Sequence, residues 1–158
     1  MTAVAALARV ELDAAAPCPL AADRDQAIAD LAADNAFARR GADPARGPFS
    51  LRLSARDGRL VFDLRDRDGA PDFAVVLALG PFRRLVKDYA TMVESLSAAA
   101  AEGRADRIQA IDMGRRGVHD EGAALLRQRL DGKIDIDMAT ARRLFTLVCA
   151  LQWKAAGG

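Results

Sequence analysis

The chain has 158 residues, 51% hydrophobic and 28% charged, with a formal net charge of +1 from 23 basic and 22 acidic side chains. That length fits one domain (residues 1–158) able to bury roughly 68–70% of its unfolded surface, and the charge balance excludes a strongly basic nucleic-acid tail or an acidic solvating tail. One histidine and two distant cysteines, Cys18 and Cys149, exclude a multi-histidine metal site, a zinc knuckle and a disulfide framework.

Met1–Leu12 is alanine-rich, with no basic residue ahead of an adequate apolar run, so no secretory signal is read there. Within it Ala6–Leu12 alternates weakly and predicts a short strand. Cys18 falls between Pro17 and Pro19 in a loop, with no basic neighbour to make its thiol reactive. Asp23–Phe37 carries Ala27, Ile28, Leu31 and Ala32 at helical spacing, with Asp23 as its cap. Arg39–Pro48 is a polar segment with Gly and Pro, read as a flexible loop, and the termini are read as loose.

The next segment predicts a meander. Phe49, Leu51 and Leu53 alternate with polar residues, and Asp57-Gly58 suits a two-residue hairpin turn. That turn sets Leu53 against Phe62, Leu51 against Leu64 and Arg52 against Asp63, so both faces match chemically. A second turn at Asp68-Gly69 sets Leu64 against Phe73, Phe62 against Val75, Leu60 against Leu77 and Arg65 against Asp72. The outer face of the third strand, Ala74, Val76 and Ala78, is apolar enough to expect a cover.

Gly80-Pro81 ends the sheet and starts a helix, with Phe82, Leu85, Val86, Tyr89, Val93 and Leu96 on one face through about Ala101. Gly103 stops it. Arg104–Met113 predicts a short helix, Gly114-Arg115-Arg116-Gly117 a turn, and Asp120–Leu130 another helix closed by Asp131-Gly132. Asp137 caps a last helix, Met138–Lys154, apolar on nearly every side in its middle; Cys149 there reads as a core residue. The expected fold is α+β: a three-stranded antiparallel meander, extended to four if the N-terminal strand joins it, packed against four to five helices. No apolar stretch approaches the roughly 20 residues of a membrane span, and free cysteines suit a reducing compartment, so a cytoplasmic protein away from membranes is expected.

Several signatures fail on position. Aligning Asp131–Asp135 with a calcium loop puts Arg127, Arg129 and Met138 at ligand positions. No phosphate-cradling glycine loop or serine-nucleophile elbow occurs, and His119–Glu121 lacks the cysteine pair of a zinc deaminase. No metal and no cofactor is expected.

What remains is Gly114–Gly122, where Arg115, Arg116, His119, Asp120 and Glu121 fall between glycines beside an expected helix N-terminus, a natural anion seat. His119 suits proton transfer near neutral pH. The plainer reading is an inter-helix turn whose acids favour the next helix dipole. Two further pairs, Arg83-Arg84 with Lys87 and Arg142-Arg143, join Arg115-Arg116 in a half (residues 81–158) with 13 basic and 10 acidic groups. Converging, the three pairs make an anion-binding surface; diverging, they are solvated helix faces, since adjacent helical residues point about 100° apart.

Arg59–Arg65, Pro81–Tyr89, Ala110–Gly117 and Thr140–Cys149 agree in order with an uncharacterised alphaproteobacterial family. On those segments the chain resembles UPF0262 over about residues 5–154. The resemblance implies a small bacterial cytoplasmic protein and no activity. The sequence thus expects a binding or adaptor module whose Arg83, Arg84, Lys87, Arg115, Arg116, Arg142 and Arg143 meet an acidic partner (protein, nucleotide or RNA). The alternative is a small enzyme acting on a phosphorylated or other anionic substrate, with His119 as acid/base and Asp120 or Glu121 orienting it. The blandest option is a structural subunit dimerising through the free edge of the meander.

Overall fold

A computed structural model describes residues 7–13 and 19–153. The order is β1 (Leu7–Leu12), α1 (Ala21–Ala33), β2 (Phe37–Arg39), β3 (Phe49–Arg56), β4 (Arg59–Arg65), β5 (Pro71–Ala78), α2 (Arg83–Ala101), α3 (Ala105–Leu130), β6 (Ile134–Ile136) and α4 (Met138–Leu151). The fold is α+β; the described residues form four α-helices and a mixed four-stranded sheet ordered β1-β3-β4-β5, plus a two-stranded β2-β6 ribbon. The meander is therefore part of a larger sheet: β1 lies parallel to β3 and covers one of its edges, leaving β5 as the other edge. No helix of the described residues is long and apolar enough to cross a membrane.

The hairpin registers follow the sequence: Leu53 opposes Phe62, Leu51 opposes Leu64, Arg52 opposes Asp63, and Phe62 and Leu60 oppose Val75 and Leu77. One pairing differs. Arg65 opposes Pro71 rather than Asp72, because the register shifts after Leu64. The turn holds an extra residue there: the buried Asp66 carboxylate accepts from the N–H groups of Asp68 and Ala70 at 2.9 and 3.0 Å. Asp72 is thereby released from the ladder to meet other arginines. The apolar face of the sheet joins the helices in one continuous core. On the opposite face no described residue covers β5, where a cover was expected: Ala74, Val76 and Ala78 are exposed, Val76 at 50%.

The segment 39–48, read as a flexible loop, is tied down by charge. Arg46 reaches Asp66 at 2.8 Å and Asp72 at 2.9 Å, and the Asp72 side chain is only 2% exposed. Arg39 lies 3.8 Å from Asp72, beyond hydrogen-bond reach, with its guanidinium 4.3 Å from the Phe73 ring centroid. Burial of a carboxylate is sustained only when it is paired, and Asp72 has guanidinium groups from both ends of this segment.

Four boundaries differ from expectation. Asp23 is not the cap of α1 but sits in its first turn, where its charge favours the dipole. That helix stops at Ala33, and Phe37 enters β2, which pairs with Ile134–Ile136 in a ribbon that the sequence did not predict. Asn35 fixes the exit, its amide bonding both Leu7 N–H and Leu7 C=O at 2.8 Å. A 3-10 turn at Gly80–Phe82 precedes α2. The last helix ends at Leu151; Asp137 does cap it, accepting from Thr140 N–H at 2.8 Å. Cys149 is a buried free thiol, its pKa pushed well up by burial; Cys18 and the expected loose ends at 1–6 and 154–158 lie outside the described residues.

The largest correction concerns α3. The expected helix–turn–helix is one unbroken helix of 26 residues, with Gly114 and Gly117 inside it. A glycine in a helix costs only about 1 kcal/mol, and here Asp112 straps the weak stretch by pairing with Arg115 at 2.7 Å and Arg116 at 3.1 Å. Burial of Val118, Ala123, Leu126 and Leu130 on the same helix outweighs the rest. Gly122 has a different purpose. A Cβ there would run into the Phe145 ring, so its lack of a side chain lets α3 and α4 close on each other.

Candidate functional site

An unbroken α3 removes the helix N-terminus that would have seated an anion beside His119. It also sets the direction of each side chain. His119 lies one turn beyond Arg115, so both project from one face. On α4 Thr146 lies one turn beyond Arg143. Close packing of α3 on α4 at Gly122 brings these two faces together, and α1 adds an outer wall that leaves the space open to solvent. The result is a cleft of about 200 Å³ lined by Asp23, Gln26, Ala27 and Asp30 of α1, Tyr89 of α2, Arg115 and His119 of α3, and Arg143 and Thr146 of α4.

Its floor is a hydrogen-bonded chain. His119 Nε2 lies 2.8 Å from Thr146 Oγ1, and that hydroxyl donates to the Arg142 carbonyl at 3.2 Å. The hydroxyl proton being committed, Oγ1 accepts from His119, which assigns the ring proton to Nε2 and leaves Nδ1 as a lone-pair acceptor. Burial pushes the His119 pKa below the ordinary imidazole value, partly opposed by the Arg142 carbonyl, so the ring is neutral near pH 7. Tyr89 and Phe145 flank it, with ring centroids 5.7 and 6.0 Å away. Burial likewise raises the Tyr89 phenol, opposed by the Arg115 guanidinium beside it. Arg143 donates to the Asp34 carbonyl at 2.9 Å, at the C-terminal end of α1.

Adjacent arginines separate as helical geometry requires. Arg115 enters the cleft while Arg116 turns outward, its side chain 76% exposed. Arg143 enters it while Arg142 turns to Asp120 at 2.6 Å. Arg84 pairs with Asp88 at 3.3 Å and Glu121 at 3.5 Å. Arg83 and Lys87 are exposed on α2, with no ion pair among the described residues. Arg115 and Arg143 thus share the cleft, and the other members of the three pairs do not line it. Asp120 and Glu121, named to orient His119, are engaged by Arg142 and Arg84, and Thr146 holds the ring instead.

Sequence reading passed over Tyr89, Thr146, Asp30 and the cleft position of Asp23. Thr146 did carry a signal: it is the one hydroxyl in the apolar run Leu144–Cys149, and a buried hydroxyl needs a partner. Asp23 and Asp30 carried none, since an acidic residue on a surface helix is ordinary. Among the described residues no group of three or more His, Cys, Asp or Glu is placed to hold a metal ion.

The sequence model of a family described as Uncharacterised protein family (UPF0262) matches residues 5–154. A UPF0262 protein of Acidiphilium cryptum is 58% identical over 134 residues, covering 85% of this chain and 82% of that protein. One of Granulibacter bethesdensis is 56% identical over 138 residues, covering 84% and 78%. One of Cereibacter sphaeroides is 47% identical over 154 residues, covering 93% and 98%. No solved structure matches the chain.

Proposed function

The chain belongs to the UPF0262 family, whose name carries no activity, and from its own geometry we propose that it is a cytoplasmic binding module that receives an anionic group of its partner between Arg115 and Arg143. One observation carries this reading: two guanidinium groups from different helices, Arg143 and the Arg115 that Asp112 also engages at 2.7 Å, line a single cleft, while Arg84, Arg116 and Arg142 meet carboxylates away from it. Guanidinium forks suit carboxylate and phosphate oxygens, and Arg143 has no carboxylate partner among the described residues. The partner is a small anion or the acidic end of a protein, nucleotide or RNA.

Calorimetric titration of the full chain with inorganic phosphate tests it. Weak binding is expected, reduced about tenfold by Arg115→Gln or Arg143→Gln and unchanged by Arg83→Gln or Arg116→Gln. Equal losses in all four variants, or no binding to the parent protein, would remove the reading.

A second reading, a small enzyme, is favoured by the His119–Thr146 bond, which holds a neutral imidazole with Nδ1 available as a base beside the two arginines. Hydrolysis of p-nitrophenyl phosphate that vanishes in His119→Gln would support it; an inert parent protein would discard it for phosphate esters.

A further inference from the structure

We propose that the cleft takes a small dipolar ligand, a molecule of amino-acid size that carries a cationic nitrogen as well as its anionic group. This rests on Arg115 and Arg143 as the anion seat and adds the opposite wall. There α1 presents Asp23 and Asp30 two turns apart, on the face that lines the cleft. Among the described residues Asp23 enters no ion pair, and the Asp30 carboxylate accepts from the Gln26 amide at 2.8 Å. Among the described residues no ion pair joins either carboxylate to Arg115 or Arg143.

Charges of opposite sign facing one small space without pairing are the complement of a molecule that bears both. A bare anion gains less there. Arg115 is already shared with Asp112, His119 is neutral, and two further carboxylates look across the gap. A ligand amine laid on Asp23 and Asp30 turns that repulsion into charge-assisted hydrogen bonding while its carboxylate or phosphate lies on the guanidinium groups. The cleft, at about 200 Å³, is smaller than the roughly 300–1,000 Å³ of drug-sized sites, which limits the ligand to a small metabolite.

The test is a thermal-shift screen of the full chain with the common L-amino acids, followed by calorimetry of the strongest against its amine-free carboxylic acid and against inorganic phosphate. At least one amino acid is expected to bind about tenfold more tightly than its amine-free counterpart. Asp30→Asn and Asp23→Asn are expected to erase that advantage while leaving phosphate binding as strong or stronger; Arg143→Gln is expected to lose both. If no amino acid exceeds its amine-free counterpart, or Asp30→Asn and Asp23→Asn both keep the difference, the dipolar ligand is refuted. Persistent phosphate binding in that case leaves the anion seat standing, whereas loss of all binding removes both.

Discussion

Two places in this fold gather two arginines and two aspartates, and they use them in opposite ways. At one end Arg39 and Arg46 meet Asp66 and Asp72, with Arg46 contacts of 2.8 and 2.9 Å and Asp72 almost wholly enclosed. In the cleft Arg115 and Arg143 face Asp23 and Asp30 with no ion pair across the space. The first set pairs its charges with one another, though Arg39 Nε and Asp72 Oδ2 find no hydrogen bond, and fastens the 39–48 segment to the sheet. In the second the opposite charges do not pair with each other; Arg115 turns to Asp112, Arg143 to the Asp34 carbonyl and Asp30 to Gln26. Equal composition gives a lock in one place and an open cleft in the other, and the difference lies in which elements hold the charges apart.

The largest way to break that comparison acts through the helix contact that builds the cleft. Gly122→Ala forces a methyl group into the Phe145 ring and is expected to destabilise by about 3 kcal/mol, read as a fall in the urea midpoint, with phosphate binding lost as α3 and α4 separate. Next comes the lock. Asp72→Asn removes a carboxylate that is 2% exposed and is expected to cost about 2 kcal/mol, reduced because Arg46 is itself partly solvated. That corresponds to a melting point lower by roughly 4–8 °C, with phosphate affinity untouched. Loss of phosphate binding in Asp72→Asn would erase the distinction between the two sets.

Smaller and opposite in sign is Gly117→Ala. Nothing lies within 4 Å of a Cβ built there, so the change is expected to stabilise by about 0.5–1 kcal/mol in a continuous helix. A turn at this position would give a loss in the same melt.

The mildest effects are those of pH. His119 is depressed by burial, so the unfolded chain binds its proton more readily. Its contribution to stability is full above the ordinary imidazole value of about 6.5 and is lost as pH falls through it. His119→Gln is expected to flatten the stability profile in that window. Asp66 is held below the usual carboxylate range, first by its hydrogen bond to Arg46. Its contribution stays complete until pH falls through about 4, the unfolded value, and is lost toward the lower folded one. Denaturant midpoints across that range separate the two windows.

The meander was legible because its alternation, its two Asp-Gly turns and its cross-strand charges all favour one register. Only the Asp66 turn, with its extra residue, escaped, since nothing in Arg65 or Asp72 announces that Asp66 folds back on its own backbone. The helical half was harder. Gly114 and Gly117 read locally as a break, and the forces that overrule them, Asp112 straps and burial of Val118 to Leu130, come from packing rather than from the glycines' neighbours. Of the site, His119 and the arginines stood out by type, but adjacent pairs carry no mark of which member turns inward. Asp30 and Tyr89 acquire meaning only when α1 is packed on α4 and α2 on α3.

α4 is both the centre of the core and a wall of the cleft: Leu144, Phe145, Leu147 and Val148 are fully buried, while Arg143 and Thr146 line the opening. Synthesis delivers this helix after every other described element. A nascent chain can fold its hairpins early, yet it has neither this interior nor this cleft until α4 has left the ribosome. Closure of the core and formation of the cleft therefore arrive together, with the same fourteen residues.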